Sequence, residues 1–192
     1  MQNKKLKAKK GITLIELLIA ITLVGTLTIA FSNIYLNCMK QFGMEFAQTQ
    51  LQTNSQTVLD RIISDIKGAI SVETSYNAYT TNQRTIIMKI PSIDSSQNII
   101  YSGDTMLTDY VIYYFQSESI HRKLIANSAS SRYPSNGQDK TIMTEVENLN
   151  FTYSPAVPST SEVTVSMTLE KHLGKFNRTI TNSSKTKLRN SL

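Results

Sequence analysis

Glu16 is the only charged residue in the run 12–39, and Lys4, Lys5, Lys7, Lys9 and Lys10 precede that run. A lone carboxylate in an apolar run marks a functional position, because hydrocarbon offers no water to solvate its charge. It has to be neutral, reach the interface or meet a cation. Gly11 stands between the lysines and the apolar run, where the lack of a side chain lets another protein approach the backbone closely. A helix starting there would expose unpaired N–H groups and a partial positive charge, both favourable to an anion such as Glu16.

The element that must position these residues is a long helix. Residues 12–31 form a 20-residue run, which at about 1.5 Å per residue approaches the roughly 30 Å of a bilayer's hydrocarbon core. Five lysines on its N-terminal side place that end in the cytoplasm. The expectation is a single-pass protein of the cytoplasmic membrane with its C-terminal domain outside. A secretory signal peptide fits poorly, since its apolar stretch spans about 7–15 residues and ends at a small-residue cleavage site. Ser32-Asn33-Ile34-Tyr35 offers no such site.

At Lys9-Lys10-Gly11-Ile12-Thr13-Leu14-Ile15-Glu16-Leu17-Leu18, the chain resembles the class III signal of type IV prepilins and type II secretion pseudopilins. The resemblance implies cleavage between Gly11 and Ile12 by a prepilin peptidase, followed by methylation of Ile12. It also implies that Glu16 is the carboxylate used in subunit assembly, paired with the new α-amino group of its own or a neighbouring helix. Ile12 departs from the commonest residue, Phe, at the first mature position.

Charge supports a targeting leader rather than a basic binding surface. The formal net charge is +6, but with the five leader lysines set aside, 15 Lys and Arg face 14 Asp and Glu. No basic stripe remains, so nucleic acid is not an expected partner. Cys38 is the only cysteine and forms no intramolecular disulfide. His121 and His172 have no cysteine or paired carboxylate at metal-ligand spacing, and neither a nucleophile elbow nor a phosphate-binding glycine loop occurs. Asp94, Gly103, Asp104 and Asp109 lack the regular spacing of a calcium loop. Turn and surface roles are expected for them. The expected reading is therefore no enzyme, no cofactor and no metal.

Beyond the membrane run, Phe42, Phe46, Val58, Leu59, Ile62, Ile63, Ile66 and Ile70 recur near helical spacing, which predicts an amphipathic continuation. The polar stretch 48–57 is expected to face solvent or neighbouring subunits. The helix should end around Gly68-Ala69-Ile70. Four segments follow: leader 1–11, membrane and filament-packing helix 12–40, amphipathic half-helix 41–70, and a β-rich domain 71–192.

Strands are predicted at 85–90, closed by Pro91, at 110–116 and 120–125 as a hairpin around Ser117-Glu118-Ser119, at 146–153 and at 163–169. A last pair is expected at 176–180 and 185–190, with Asn136-Gly137 and Pro155-Ala156-Val157-Pro158 as loop tips. Val58, Leu59, Ile62, Ile63 and Ile66 should cover a sheet face built from Val111, Tyr113, Leu149, Phe151, Val163 and Val165. The fold class is α+β and pilin-like, a long N-terminal hydrophobic helix packed on an antiparallel sheet.

The order Val111-x-Tyr113, Ile120-x-Arg122, Val146-x-x-Leu149-x-Phe151-x-Tyr153, the alternating 163–169 and the terminal Leu188-Arg189-Asn190 resembles the minor pseudopilin J of type II secretion and its minor-pilin W relatives. This resemblance implies a minor subunit that initiates or caps a pilus or pseudopilus. Its partners would be the peptidase, other major and minor pilins, the inner-membrane assembly platform and lipid. The alternative is a signal-anchored extracytoplasmic binding protein, which would keep its leader.

Overall fold

The computed structural model describes residues 13–173 and 176–188, with the side chains of 172, 173 and 176 outside that description. The chain divides into two units, Met1–Phe46 and Ala47–Leu192. One helix, α1 (Leu14–Lys67), carries the long apolar run, and every other element is β or a single short 3-10 turn among the described residues. The fold is α+β and pilin-like, with one long apolar N-terminal helix and antiparallel sheets.

In the first unit, Leu14, Leu18, Leu23, Phe31, Phe42 and Phe46 are all exposed. Phe42 and Phe46 therefore do not extend the buried stripe, although they share its helical spacing. That stripe begins with Ala47, Leu51, Ser55, Val58, Leu59, Ile62, Ile63 and Ile66, at intervals of three and four that keep one helix face towards a core. Leu51 and Ser55 fall inside the polar stretch expected to face outward. Two small or apolar side chains at the right phase suffice to bury that turn.

The strands of the second unit are β1 (Ser71–Val72), β2 (Ser75–Tyr76), β3 (Tyr79–Thr80), β4 (Thr85–Pro91), β5 (Tyr101–Ser102), β6 (Thr105–Met106), β7 (Thr108–Gln116), β8 (Ser119–Ile125), β9 (Asp139–Met143), β10 (Val146–Ser154), β11 (Glu162–Leu173) and β12 (Phe176–Lys187). They form a five-stranded sheet in the order β1-β4-β7-β8-β9, a three-stranded sheet β10-β11-β12, and two small ribbons, β2-β3 and β5-β6. Every pairing is antiparallel.

A common core unites the half-helix with both sheets. Leu59, Ile62, Ile63 and Ile66 join Val111, Tyr113, Leu149, Phe151, Val163 and Val165 in one buried cluster. Strand alternation puts Ile112 on the opposite face of β7 from Val111 and Tyr113. Ile112 is nevertheless fully buried, as is its cross-strand partner Ile87. Tyr76 stacks on Tyr110 at 3.9 Å and Tyr79 packs on Tyr114 at 5.4 Å, so the β2-β3 ribbon folds over that second face.

Two expected details differ. The hairpin between β7 and β8 closes on Gln116↔Ser119, leaving a two-residue turn in which Ser117 and Glu118 both have positive φ, 50° and 56°. That is the mirror-image turn whose twist matches the flanking strands, adopted here without glycine. The last strand pair is one strand, β12, hydrogen-bonded to β11 without a register shift from Glu162↔Lys187 to Leu173↔Phe176. Thr181-Asn182-Ser183-Ser184 read as a turn because it is polar, yet a long partner strand holds it extended. Arg189 and Asn190 lie outside the described residues.

Candidate functional site

Gly11 and Ile12 lie outside the described residues, so the geometry begins at Thr13. The Thr13 backbone N–H and hydroxyl donate to Glu16 Oε2 at 2.9 and 3.0 Å. In return, the Glu16 N–H donates to the Thr13 hydroxyl at 3.3 Å. This reciprocal pair is a capping box, formed because a Thr just ahead of the helix and a Glu three residues later each reach the other's free N–H. The sequence pattern Thr-x-x-Glu announces it.

Further along, hydroxyls that would otherwise be stranded in an apolar environment turn back onto the helix. Thr22 donates to the Leu18 and Ile19 carbonyls, Thr26 to Leu23, Thr28 to Val24 and Ser32 to Thr28. Each of these hydroxyls is thus satisfied within α1, as a helix crossing lipid would require. The helix is long and apolar enough to cross a membrane. Cys38 is exposed on it and forms no disulfide.

Residues 6–32 match the family model of the prokaryotic N-terminal methylation motif. That match supports the type IV pilin and pseudopilin family. The motif spans the end of the lysine-rich segment, the capping box and most of the apolar run, and it does not distinguish a pilus from a secretion pseudopilus. Comparisons with curated proteins and with solved structures gave no match. The family points to a structural subunit anchored by one N-terminal helix.

The second unit holds two polar networks that sequence reading did not assemble. Asp65 on α1 accepts from the Tyr113 hydroxyl at 2.6 Å and from Arg122 Nε at 3.0 Å. Tyr113 and Arg122 are cross-strand partners in β7 and β8, which is the physical content of Val-x-Tyr followed by apolar-x-Arg. The other network surrounds Asp109, which is fully buried rather than at the surface as expected. Its oxygens accept from the Ser92 and Ser130 hydroxyls, the Asn127 N–H and Arg132 Nη1, tying the segment after β8 to β7.

The remaining carboxylates named for calcium occupy turns. Asp94 Oδ1 accepts from the Ser96 and Asn98 N–H groups. Gly103, at φ 62°, and Asp104 form the two-residue connection between β5 and β6. His121 does have a carboxylate neighbour, with Nδ1 3.7 Å from Asp139 Oδ1, an approach the sequence spacing concealed. The His172 side chain lies outside the described residues. Among the described residues, no group of three His, Cys, Asp or Glu converges on a metal position. A cleft of about 440 Å³ between α1 and β9 is lined by Asn54, Thr57, Val58, Thr141, Ile142, Met143 and Thr144. These side chains include no general acid or base.

Proposed function

We propose that the chain is a minor pilin or pseudopilin subunit that helps initiate or cap assembly of a type IV pilus or type II secretion pseudopilus. The observation that carries this reading is the methylation motif over residues 6–32, set on a helix whose first turn is closed by Thr13 and Glu16. Processing falls between Gly11 and Ile12, with Ile12 methylated. The four segments are leader 1–11, membrane and filament-packing helix 12–40, half-helix 41–70 and outer domain 71–192.

Before processing, the helix crosses the cytoplasmic membrane once, leader inside and β domain outside. After it, a free α-amino group beside Glu16 supplies the cation that a carboxylate in lipid needs, either on its own helix or on a neighbour's. The apolar side chains of α1 then pack against other pilins as the subunit leaves the bilayer on the inner-membrane assembly platform. The cross-strand pair Tyr113–Arg122 and the order of the later strands support the J and W subgroup, hence the minor role.

Mass spectrometry of the membrane-extracted protein tests this. An N-terminus at methylated Ile12 is expected, and a bulky replacement of Gly11 should leave the precursor uncut. An intact Met1 in cells that contain the peptidase would favour the anchored binding protein.

A further inference from the structure

The connection between β8 and β9 holds the one asparagine of the sequence that glycine follows, Asn136-Gly137. An amide in that setting can modify its own chain. The Gly137 nitrogen, once it has given up its proton to water, attacks Asn136 Cγ. A C–N bond forms, the Cγ–Nδ2 bond breaks and ammonia leaves. Water then opens the resulting succinimide ring at either carbonyl, which restores the main chain beside an aspartate or reroutes it through the side chain as isoaspartate. No oxidant or reductant takes part. Glycine, which has no Cβ, leaves the attacking nitrogen unhindered.

The fold admits water to this pair but withholds the geometry of attack. Asn136 and Gly137 are both exposed. Asn136 follows the 3-10 turn Tyr133–Ser135 with ψ at 136°, an extended backbone. At that angle the Gly137 nitrogen is turned away from Asn136 Cβ, so ring closure requires rotation about the Cα–C bond. Hydrogen bonds oppose the rotation on both sides of it. The Gly137 N–H donates to Leu124 O at 2.8 Å, and Asn136 Oδ1 accepts from the Ala126 N–H at 3.0 Å. Asp109 clasps the same connection through the Asn127 N–H, the Ser130 hydroxyl and Arg132 Nη1. We propose that Asn136 is a latent self-modification site, converted to aspartate and isoaspartate when the connection 126–138 opens. Isoaspartate adds a carbon to the main chain ahead of Gly137 and carries the Gly137 N–H out of register with Leu124 O. That product turns a transient local opening into a permanent one. The proposal does not depend on which filament the subunit serves.

The test incubates the full chain in detergent micelles in mildly alkaline buffer, beside the same chain in urea and a synthetic peptide of residues 130–142. Mass spectrometry follows the exchange of the Asn136 amide for a carboxylate and separates aspartate from isoaspartate. The peptide and the urea-unfolded chain should convert at the same rate, and the folded chain about tenfold or more slowly, the factor that one or two net hydrogen bonds provide. Because attack needs the Gly137 N–H freed, the slowing should match the protection of that amide against hydrogen exchange. Ser130→Ala removes one hydrogen bond to Asp109 and should speed exchange and conversion together in the folded chain, with no change in urea. Circular dichroism checks that this variant folds; should it not, Arg132→Gln takes its place. The proposal is overturned if the folded chain converts as fast as the peptide, or if its slowing departs from the protection of the Gly137 amide. A folded variant that leaves the conversion rate unchanged, whether or not exchange speeds up, overturns it equally.

Discussion

The Tyr113 hydroxyl donates a 2.6 Å hydrogen bond to Asp65 Oδ2, joining a sheet residue to a helix residue 48 positions earlier. Arg122 Nε reaches the same oxygen at 3.0 Å, so one carboxylate receives a phenol and a guanidinium from adjacent strands. Packing alone would let the half-helix slide or rotate along an apolar sheet. A directional polar contact fixes its register.

Tyr113→Phe should lower the stability of the β domain by about 1 kcal/mol, the net value of a typical hydrogen bond. Asp65→Ala should cost more, because the Arg122 guanidinium loses its carboxylate and keeps only the Tyr113 hydroxyl. Chemical denaturation of both variants and of the double variant checks this. Additive losses would mean that the two groups are not coupled.

Burial, then the Asp65 charge and its hydrogen bond, hold the Tyr113 phenol well above the usual tyrosine range. Burial does the same for Tyr153. In the unfolded chain both ionise near the ordinary value of about 10. Their contribution to stability is full below that value and is lost as pH rises towards the higher folded value. Thermal melts should therefore fall from about pH 10 upward, and Tyr113→Phe should flatten that fall.

Asp109 responds in the opposite direction. Burial disfavours its charge, but hydrogen bonds from Ser92, Asn127, Arg132 and Ser130 outweigh burial and hold its carboxyl below the ordinary value. Its contribution is present above the unfolded value of about 3.9 and is lost as pH falls through the lower folded value. Asp109→Asn should lose about 2–3 kcal/mol at neutral pH, as expected for a buried charged hydrogen-bond network. It should also show a shallower acid limb in a pH series of melts. An acid limb as steep as the parent's would assign the effect to other carboxylates.

The turn at Ser117-Glu118 offers a stabilising change. Both residues sit at positive φ, a conformation that costs a residue with a Cβ about 1 kcal/mol or more. Glu118→Gly keeps the carbonyl that accepts from Val146 and should raise stability by up to about 1 kcal/mol. A lower midpoint in urea would contradict this.

A fragment beginning at Ala47 should fold, since Leu59, Ile62 and Ile66 share one buried cluster with Phe151 and Val165. In it, Ile62→Ala or Phe151→Ala should cost about 2–5 kcal/mol, the range for emptying a packed core site. Circular dichroism and denaturant titration report both results.

What the sequence made legible was local. The apolar run and Glu16 near its start lie within one short stretch, and the chemistry of each depends on near neighbours. The alternation of Val111 and Tyr113, or of Leu149, Phe151 and Tyr153, identified strands whose faces the core then used. The burial of Asp109 is hidden in the sequence because its partners stand 17 to 23 positions away. The β2-β3 ribbon and β9 carry few apolar residues and no alternation to reveal them. They form because the sheet offers Tyr110, Tyr114 and the β8 edge to pair with. Tyr113 and Arg122 stood in the sequence as separate fragments. Their union required the two-residue turn that sets them opposite each other.

Recovery of the processed chain in covalent crosslinks with other pilins, compared between the parent and Glu16→Ala in the same cells, tests the assembly account most directly. The variant should still insert and be cut after Gly11, while its crosslinked fraction falls well below the parent's. A cleaved Glu16→Ala protein that enters crosslinked assemblies as fully as the parent would contradict the account.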